Sequence, residues 1–369
     1  MIEKYYDGAI EQVAAGLGTV EKNHLLVRYS GQFSIEELSY KDQLEKMENI
    51  FVQMHEFEPG EITSAYEPYL TMICDGFRRY MTGTFEEFME ECDVYYLHRP
   101  VLLGYFNRGY AKREEIILLD EVAYEQERML AALERMLYAI ADRHPVLLIL
   151  NRFQLASKST MQLTARILKA ENSNIGLVLG VSDIQAMPEF LVPDWEMLYE
   201  TLDDGSKIYH IGNSGRKKEE IADDGKYADY GSEKVYRKLQ NMVEFLDFDQ
   251  AAYYLEVIER KIKFDNLFVD DPARFRMWLL FAKVSILRKD IPKALEICED
   301  LEKIHLAGRE DECAYEQDYL IATAYMYQGK LKEALEMAGE TYCIAEKISD
   351  DFRKFLSELL KTQIDVRLV

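Results

Sequence analysis

The chain opens on a helical spacing of apolar positions: Tyr6, Ile10, Val13 and Leu17 recur at three- and four-residue intervals across residues 2–17. His24–Ser30 (HLLVRYS) follows as a compact β-prone run. The period returns to helix over Ile35–Asn49, with Leu38, Leu44 and Met47 among the apolar positions. Ile50–Phe57 (IFVQMHEF) reads as a second strand, closed by Pro59 and Gly60. Helices are predicted over 66–81, 84–93 and 98–108. A long one is predicted over 120–142, its apolar face carrying Met129, Leu130, Leu133, Met136, Leu137 and Ile140. Pro145–Leu150 (PVLLIL) is too short for a helix of its own. Gln154–Lys169 is helical, Ile175–Val181 (IGLVLGV) is a buried strand, helices flank Pro193, and Lys207–Ile211 (KIYHI) is a further strand. The pattern thus predicts strands at 24–30, 50–56, 145–150, 175–181 and 207–211. Strands that are apolar throughout and alternate with helices imply a parallel sheet covered on both faces.

Residues 213–232 are polar, rich in glycine and charge, and read as a connection between domains. Beyond them the fold class changes to all-α, and a pattern recurs: LDFDQAAYYL, RKDIPKALEI and YQGKLKEALEM. Each copy has a turn, an apolar residue (Phe248, Ile291, Leu331) and an alanine three residues on (Ala251, Ala294, Ala334), the alanines lying 43 and 40 residues apart. Amphipathic stretches such as Phe275–Leu287 and Tyr319–Tyr327 precede the turns, and Asp350–Val366 supplies a last helix. In the third copy Ala322, Tyr325, Gly329, Leu331 and Ala334 stand at the spacing of the tetratricopeptide repeat, which this region resembles. The period exceeds that repeat's roughly 34 residues, as in the variant repeats of large regulatory ATPases. Such units bury their apolar faces only by stacking. The apolar end IDVRLV raises the expectation of an output domain beyond Val369.

The first half carries a second resemblance. Ala65-Tyr66-Glu67-Pro68-Tyr69 holds a Tyr-x-Pro element, and LLILNRFQLAS (Leu147–Ser157) has an apolar strand followed by a polar pair and a downstream alanine. In this order they resemble the nucleotide-binding domain of the signal-transduction ATPases with numerous domains, a branch of the P-loop ATPases. The resemblance implies a five-stranded parallel sheet of P-loop type over residues 1–212, a linker over 213–232 in place of the family's lid and winged-helix regions, and a repeat domain over 233–369. It also shows what is missing. A phosphate loop reads G-x-x-x-x-G-K-[ST], whereas this chain has Ser30-Gly31-Gln32-Phe33-Ser34-Ile35-Glu36-Glu37, with two carboxylates where a cation belongs. Asn151 and Arg152 stand where two carboxylates would hold Mg²⁺, and Val181-Ser182-Asp183 offers no Arg or Asn as a phosphate sensor. ATP hydrolysis is therefore not expected.

Gly31, Ser34, Asn151 and Arg152 are the candidate remains of a nucleotide pocket, with Arg152 compensating for the missing lysine. In the competing reading, Asn151 and Arg152 form a polar strand terminus paired with a nearby glutamate. No bound cofactor is expected; ATP or ADP is the alternative.

Composition narrows the partners. The 369 residues carry 44 Lys+Arg against 67 Asp+Glu, a formal net charge of −23, so a direct nucleic-acid partner is disfavoured without a basic face. Neither a membrane-spanning run nor a secretory leader is legible. The odd, widely spaced cysteines (Cys74, Cys92, Cys298, Cys313, Cys343) fit a reducing cytoplasm. The six histidines are dispersed, there is no G-x-S-x-G elbow, and pairs such as Glu90-Glu91 are ordinary solvated helix faces. The expectation is a non-catalytic signalling scaffold that meets a protein or peptide on its helical repeats. The alternative is a nucleotide-binding switch without hydrolysis, and an enzyme of another class is the residual reading.

Overall fold

A computed structural model describes residues 2–19, 24–29, 33–38, 49–111, 121–170, 172–182, 187–203, 207–211, 230–265 and 267–368. The chain divides into two compact units, Met1–Glu115 with Ala123–Ala228, and Ile116–Val122 with Asp229–Val369. The organisation is α/β followed by all-helical, as the patterning implies.

In the first unit α1 (Ile2–Gly16), β1 (His24–Tyr29), β2 (Phe51–Glu56), α2 (Tyr69–Tyr80), α3 (Phe85–Glu91) and α4 (Arg99–Arg108) are followed by α5 (Val122–Ala141), β3 (Val146–Asn151), α6 (Lys158–Lys169), β4 (Ile175–Ser182), α7 (Val192–Asp203) and β5 (Lys207–Ile211). The strands pair in parallel in the order β2-β3-β4-β1-β5. Every residue of β3 and β4 is buried, which explains their unbroken apolar composition. β4 also contains two glycines, and α1 crosses it there. A Cβ at Gly176 would collide with Val13, and one at Gly180 would collide with the Tyr6 hydroxyl. The predicted α1 stripe of Tyr6, Ile10 and Val13 thus packs with Val27, Leu147, Ile149 and Val178.

Three local differences have physical causes. Of the helix expected over 35–49, Ile35–Glu37 forms a 3₁₀ turn, while residues 39–48 lie outside the described residues. Ala65–Pro68 is a turn, and α2 starts after Pro68, whose ring nitrogen cannot donate. The helix expected from Gln154 begins at Lys158: Phe153–Leu155 is a 3₁₀ turn, and Ser157 caps α6 by accepting from Thr160 N.

The second unit holds α8 (Glu233–Glu244), α9 (Phe248–Phe264), α10 (Asp271–Leu287), α11 (Ile291–Leu301), α12 (Glu310–Gln328), α13 (Leu331–Lys347) and α14 (Asp351–Leu368). One turn recurs through it. Leu246, Lys289, Gly329 and Ser349 all adopt the left-handed conformation, at φ 67°, 66°, 80° and 57°. The next residue's N–H reaches back five positions: Asp247 to Met242 O, Asp290 to Ser285 O, Lys330 to Tyr325 O and Asp350 to Ala345 O, at 2.7–3.0 Å. This closure satisfies carbonyls that a helix end leaves open, and a new helix starts one residue later. Phe248, Ile291 and Leu331, the apolar residues of the sequence pattern, each open one of these helices. Ala251, Ala294 and Ala334 are fully buried one turn further on, where a larger side chain would separate the helices. Ser232 caps α8; residues 213–229 of the expected linker lie outside the described residues.

Candidate functional site

Because the strands are parallel, their carboxyl ends share one edge of the sheet, where open α/β sheets bind ligands. Glu56 ends β2 opposite Asn151 of β3, and Tyr29 ends β1 opposite Ser182 of β4. Phe33 and Ser34 lie against this edge, in contact with Asn151 and Glu56.

Asn151 is completely buried. Its Oδ1 accepts from the Tyr29 hydroxyl at 2.6 Å, and its Nδ2 donates to Phe33 O at 3.1 Å and Glu56 Oε1 at 3.3 Å. Most of the amide's hydrogen-bonding capacity is used within the fold. Arg152 takes the left-handed conformation, φ 53° and ψ 42°, which turns its side chain back over the edge. Its guanidinium contacts Glu56 Oε1 at 3.1 Å and Glu58 Oε2 at 3.0 Å. The other oxygen of Glu56 accepts from Ser34 Oγ at 2.8 Å and from the Ile35 N–H at 2.9 Å.

Glu56 is therefore the hub. A backbone N–H at the start of a short helical turn, a hydroxyl, an amide and a guanidinium converge on one carboxylate. That donor set is the kind that holds a phosphate, and here a side chain of the protein fills it. Phe33 seals the space beneath: it is 2% exposed, with its ring 5.2 Å from that of Tyr6 and 5.9 Å from that of Tyr29. The Tyr6 hydroxyl, pressed against Gly180, has no hydrogen-bond partner among the described residues. Burial first, then the nearby Tyr29 and Glu56, push the Tyr6 phenol well above its ordinary range, so it stays protonated. Burial raises the Tyr29 phenol as well, against the attraction of Arg152.

Of the candidate residues, Ser34, Asn151 and Arg152 are brought together, and each is bonded to Glu56; Gly31 lies outside the described residues. The pairing of Asn151 and Arg152 with a glutamate is what the competing reading anticipates. Glu36 is exposed, so the acidity legible in the loop faces solvent there, and the Glu37 side chain lies outside the described residues. Sequence reasoning missed Glu56, Tyr29 and Tyr6. A signal for Glu56 existed: it closes a strand predicted to lie in the same sheet as the strand ending at Asn151, and parallel registry brings such ends together.

Other chemistry is sparse. His98 is fully buried, its Nε2 3.1 Å from Glu125 Oε2, and Arg128 reaches Glu125 Oε1 at 2.7 Å from the surface side. His144 packs on the Tyr80 ring at 4.0 Å. Among the described residues no cluster of His, Cys, Asp or Glu is placed to hold a metal ion. Burial pushes the thiols of Cys74 and Cys298 up to about 12 and that of Cys92 up to about 11, which removes them as nucleophiles near neutral pH. No helix among the described residues is long and apolar enough to cross a membrane. Compared with known proteins, the chain matches no family model, no curated protein and no solved structure.

Proposed function

We propose that this chain is a non-catalytic regulatory scaffold of the cytoplasm, in which a degenerate P-loop ATPase-like unit is joined to a protein-binding helical array of tetratricopeptide type. The observation that carries the reading is the Glu56 carboxylate at the carboxyl edge of the sheet, accepting from Ser34, Ile35, Asn151 and Arg152. A triphosphate entering there would meet a negative charge and donors already engaged. An all-parallel sheet with β1 between β4 and β5, and Ser34 lying at the carboxyl edge against Glu56, supports the resemblance to the ATPases. The repeated left-handed turns and buried alanines support the repeat reading. In this view the α/β unit is a platform and signalling runs through protein contact. Calorimetric titration with ATP and ADP in the presence of Mg²⁺ tests it: no heat of binding is expected up to millimolar nucleotide, and a micromolar dissociation constant refutes it.

The same convergence of donors favours one second reading, a nucleotide switch that opens by displacing Glu56. Ligand at about 100 times its dissociation constant adds about 2.7 kcal/mol of stability. A melting temperature that does not move in millimolar ATP rules this reading out.

A further inference from the structure

The helical unit shows an exposed apolar face on α14. This helix buries Ser357, Leu360 and Ile364 against the preceding helices. Its opposite side is also apolar. Phe352, Phe355 and Val366 are 56%, 60% and 73% exposed, with Leu359 half-buried between them. These positions follow a heptad: Phe352, Leu359 and Val366 at a, with Phe355 and Thr362 at d. That is the spacing of a helix–helix seam, and the two exposed phenylalanines stand one turn apart within it.

Charge around the seam indicates the occupant. Three of the four cations of α14 lie over aromatic rings of the preceding helices. Arg353 lies 5.2 Å over the Tyr315 ring, Lys361 4.4 Å over that of Tyr342 and Arg367 4.9 Å over that of Tyr327. The acids point outward. Asp351, Glu358 and Asp365 occupy successive g positions along one flank of the seam. Asp351 and Glu358 do pair with Lys354 and Lys361 at 3.3 and 3.2 Å, but their side chains are 94% and 57% exposed, and such surface pairs hold weakly. Flanking charges of this kind select the partner of a seam. A second copy of a chain at −23 would bring acid against acid in an antiparallel pairing.

We propose that the outer face of α14 docks a basic amphipathic helix of a partner protein, with the partner's apolar residues over Phe352, Phe355, Leu359 and Val366 and its Lys or Arg residues along Asp351, Glu358 and Asp365. The proposal deepens the protein-contact reading of the helical unit and rests on it. The outcome is distinguishable, because nucleotide titration probes the other unit and is independent of this face.

The test uses the full chain and a fluorescein-labelled three-heptad peptide with Leu at a and d and Lys at e and g, followed by fluorescence anisotropy. Saturable micromolar binding is expected, weakening with salt. The charge-neutral double variant Phe352→Gln, Phe355→Gln is expected to bind at least about tenfold more weakly, a loss of about 1.4 kcal/mol, with an unchanged melting temperature because both side chains are exposed. Glu358→Gln with Asp365→Asn is expected to flatten the salt dependence. A peptide carrying Glu at e and g is expected not to bind. Four results overturn the proposal: no saturable binding; unchanged affinity in the phenylalanine variant, meaning that bulk acidity alone attracts the peptide; equal binding of the Glu peptide; or light scattering that finds a dimer which the phenylalanine variant dissociates, meaning that a second copy takes the face.

Discussion

Replacing Glu56 by alanine isolates the hub of the sheet edge. The side chain is 13% exposed and its partner Arg152 18%, so both charges are mostly withdrawn from water. Breaking a buried pair by removing one partner costs about 3–5 kcal/mol, because the survivor keeps its charge without compensation. Two features place this site at the lower end. Arg152 retains Glu58, which is half-exposed, and the Ser34 hydroxyl can rotate toward water. Against that, the Ile35 N–H and the Asn151 amide each lose an acceptor, at about 1–3 kcal/mol for a polar group left buried and unpaired. These losses overlap, since one carboxylate serves all four donors, so the expected cost is about 3 kcal/mol rather than their sum. Urea unfolding followed by circular dichroism measures it, and hydrogen exchange at residues 33–38 reports whether the loop is released. If Glu56 occupies an anion site, an added anion partly replaces it. Sulfate at ten times its dissociation constant restores about 1.4 kcal/mol to the variant, beyond the general salting effect read from the wild-type protein in the same buffer. A loss below about 1 kcal/mol, or no selective rescue by sulfate over chloride at matched ionic strength, refutes the assignment of Glu56 as an internal anion.

Tyr6→Phe removes a buried hydroxyl that lacks a partner among the described residues; thermal unfolding is expected to show an unchanged or slightly more stable protein, by up to about 1 kcal/mol. Asp318 titrates up at about 6, owing first to burial and then to Glu340 and Glu302. The folded chain therefore binds this proton more tightly than the unfolded chain, whose value is about 3.9. Stability from this group falls as pH rises from about 4 to 6 and stays lowered above. Asp318→Asn is expected to add about 1 kcal/mol at pH 7, after discounting for solvent screening at this half-buried position, and to add nothing at pH 4; equal effects at both pH values contradict the argument. Among the cysteines, native-state alkylation at pH 7.5 followed by mass mapping is expected to modify the exposed Cys343 and to spare Cys74, Cys92 and Cys298 until urea is added.

The elements that periodicity revealed are those whose side chains meet one uniform environment. β3 and β4 are buried along their whole length, so composition alone marks them, and α1 shows its core stripe directly. Where a position answers to a single distant neighbour, the local signal disappears. Gly176 and Gly180 read as weak points in a strand until Val13 and Tyr6 are seen pressing on them. The turns of the helical unit show the same limit. Gly329 announces a left-handed residue, but Leu246, Lys289 and Ser349 adopt that conformation too, against their intrinsic preference. What holds them there is the backbone closure to the helix behind and the immediate restart of the next helix, neither of which composition encodes. The candidate site follows this rule. Asn151 and Arg152 were legible as departures from a motif, and Ser34 as a remnant of one, but the residue that binds the three together comes from another strand. Glu56 looks like any of the chain's 67 acids until parallel registry sets it opposite Asn151. The charge that decides whether this edge can receive a phosphate is thus written in the pairing of β2 with β3, outside the loop where a motif search looks.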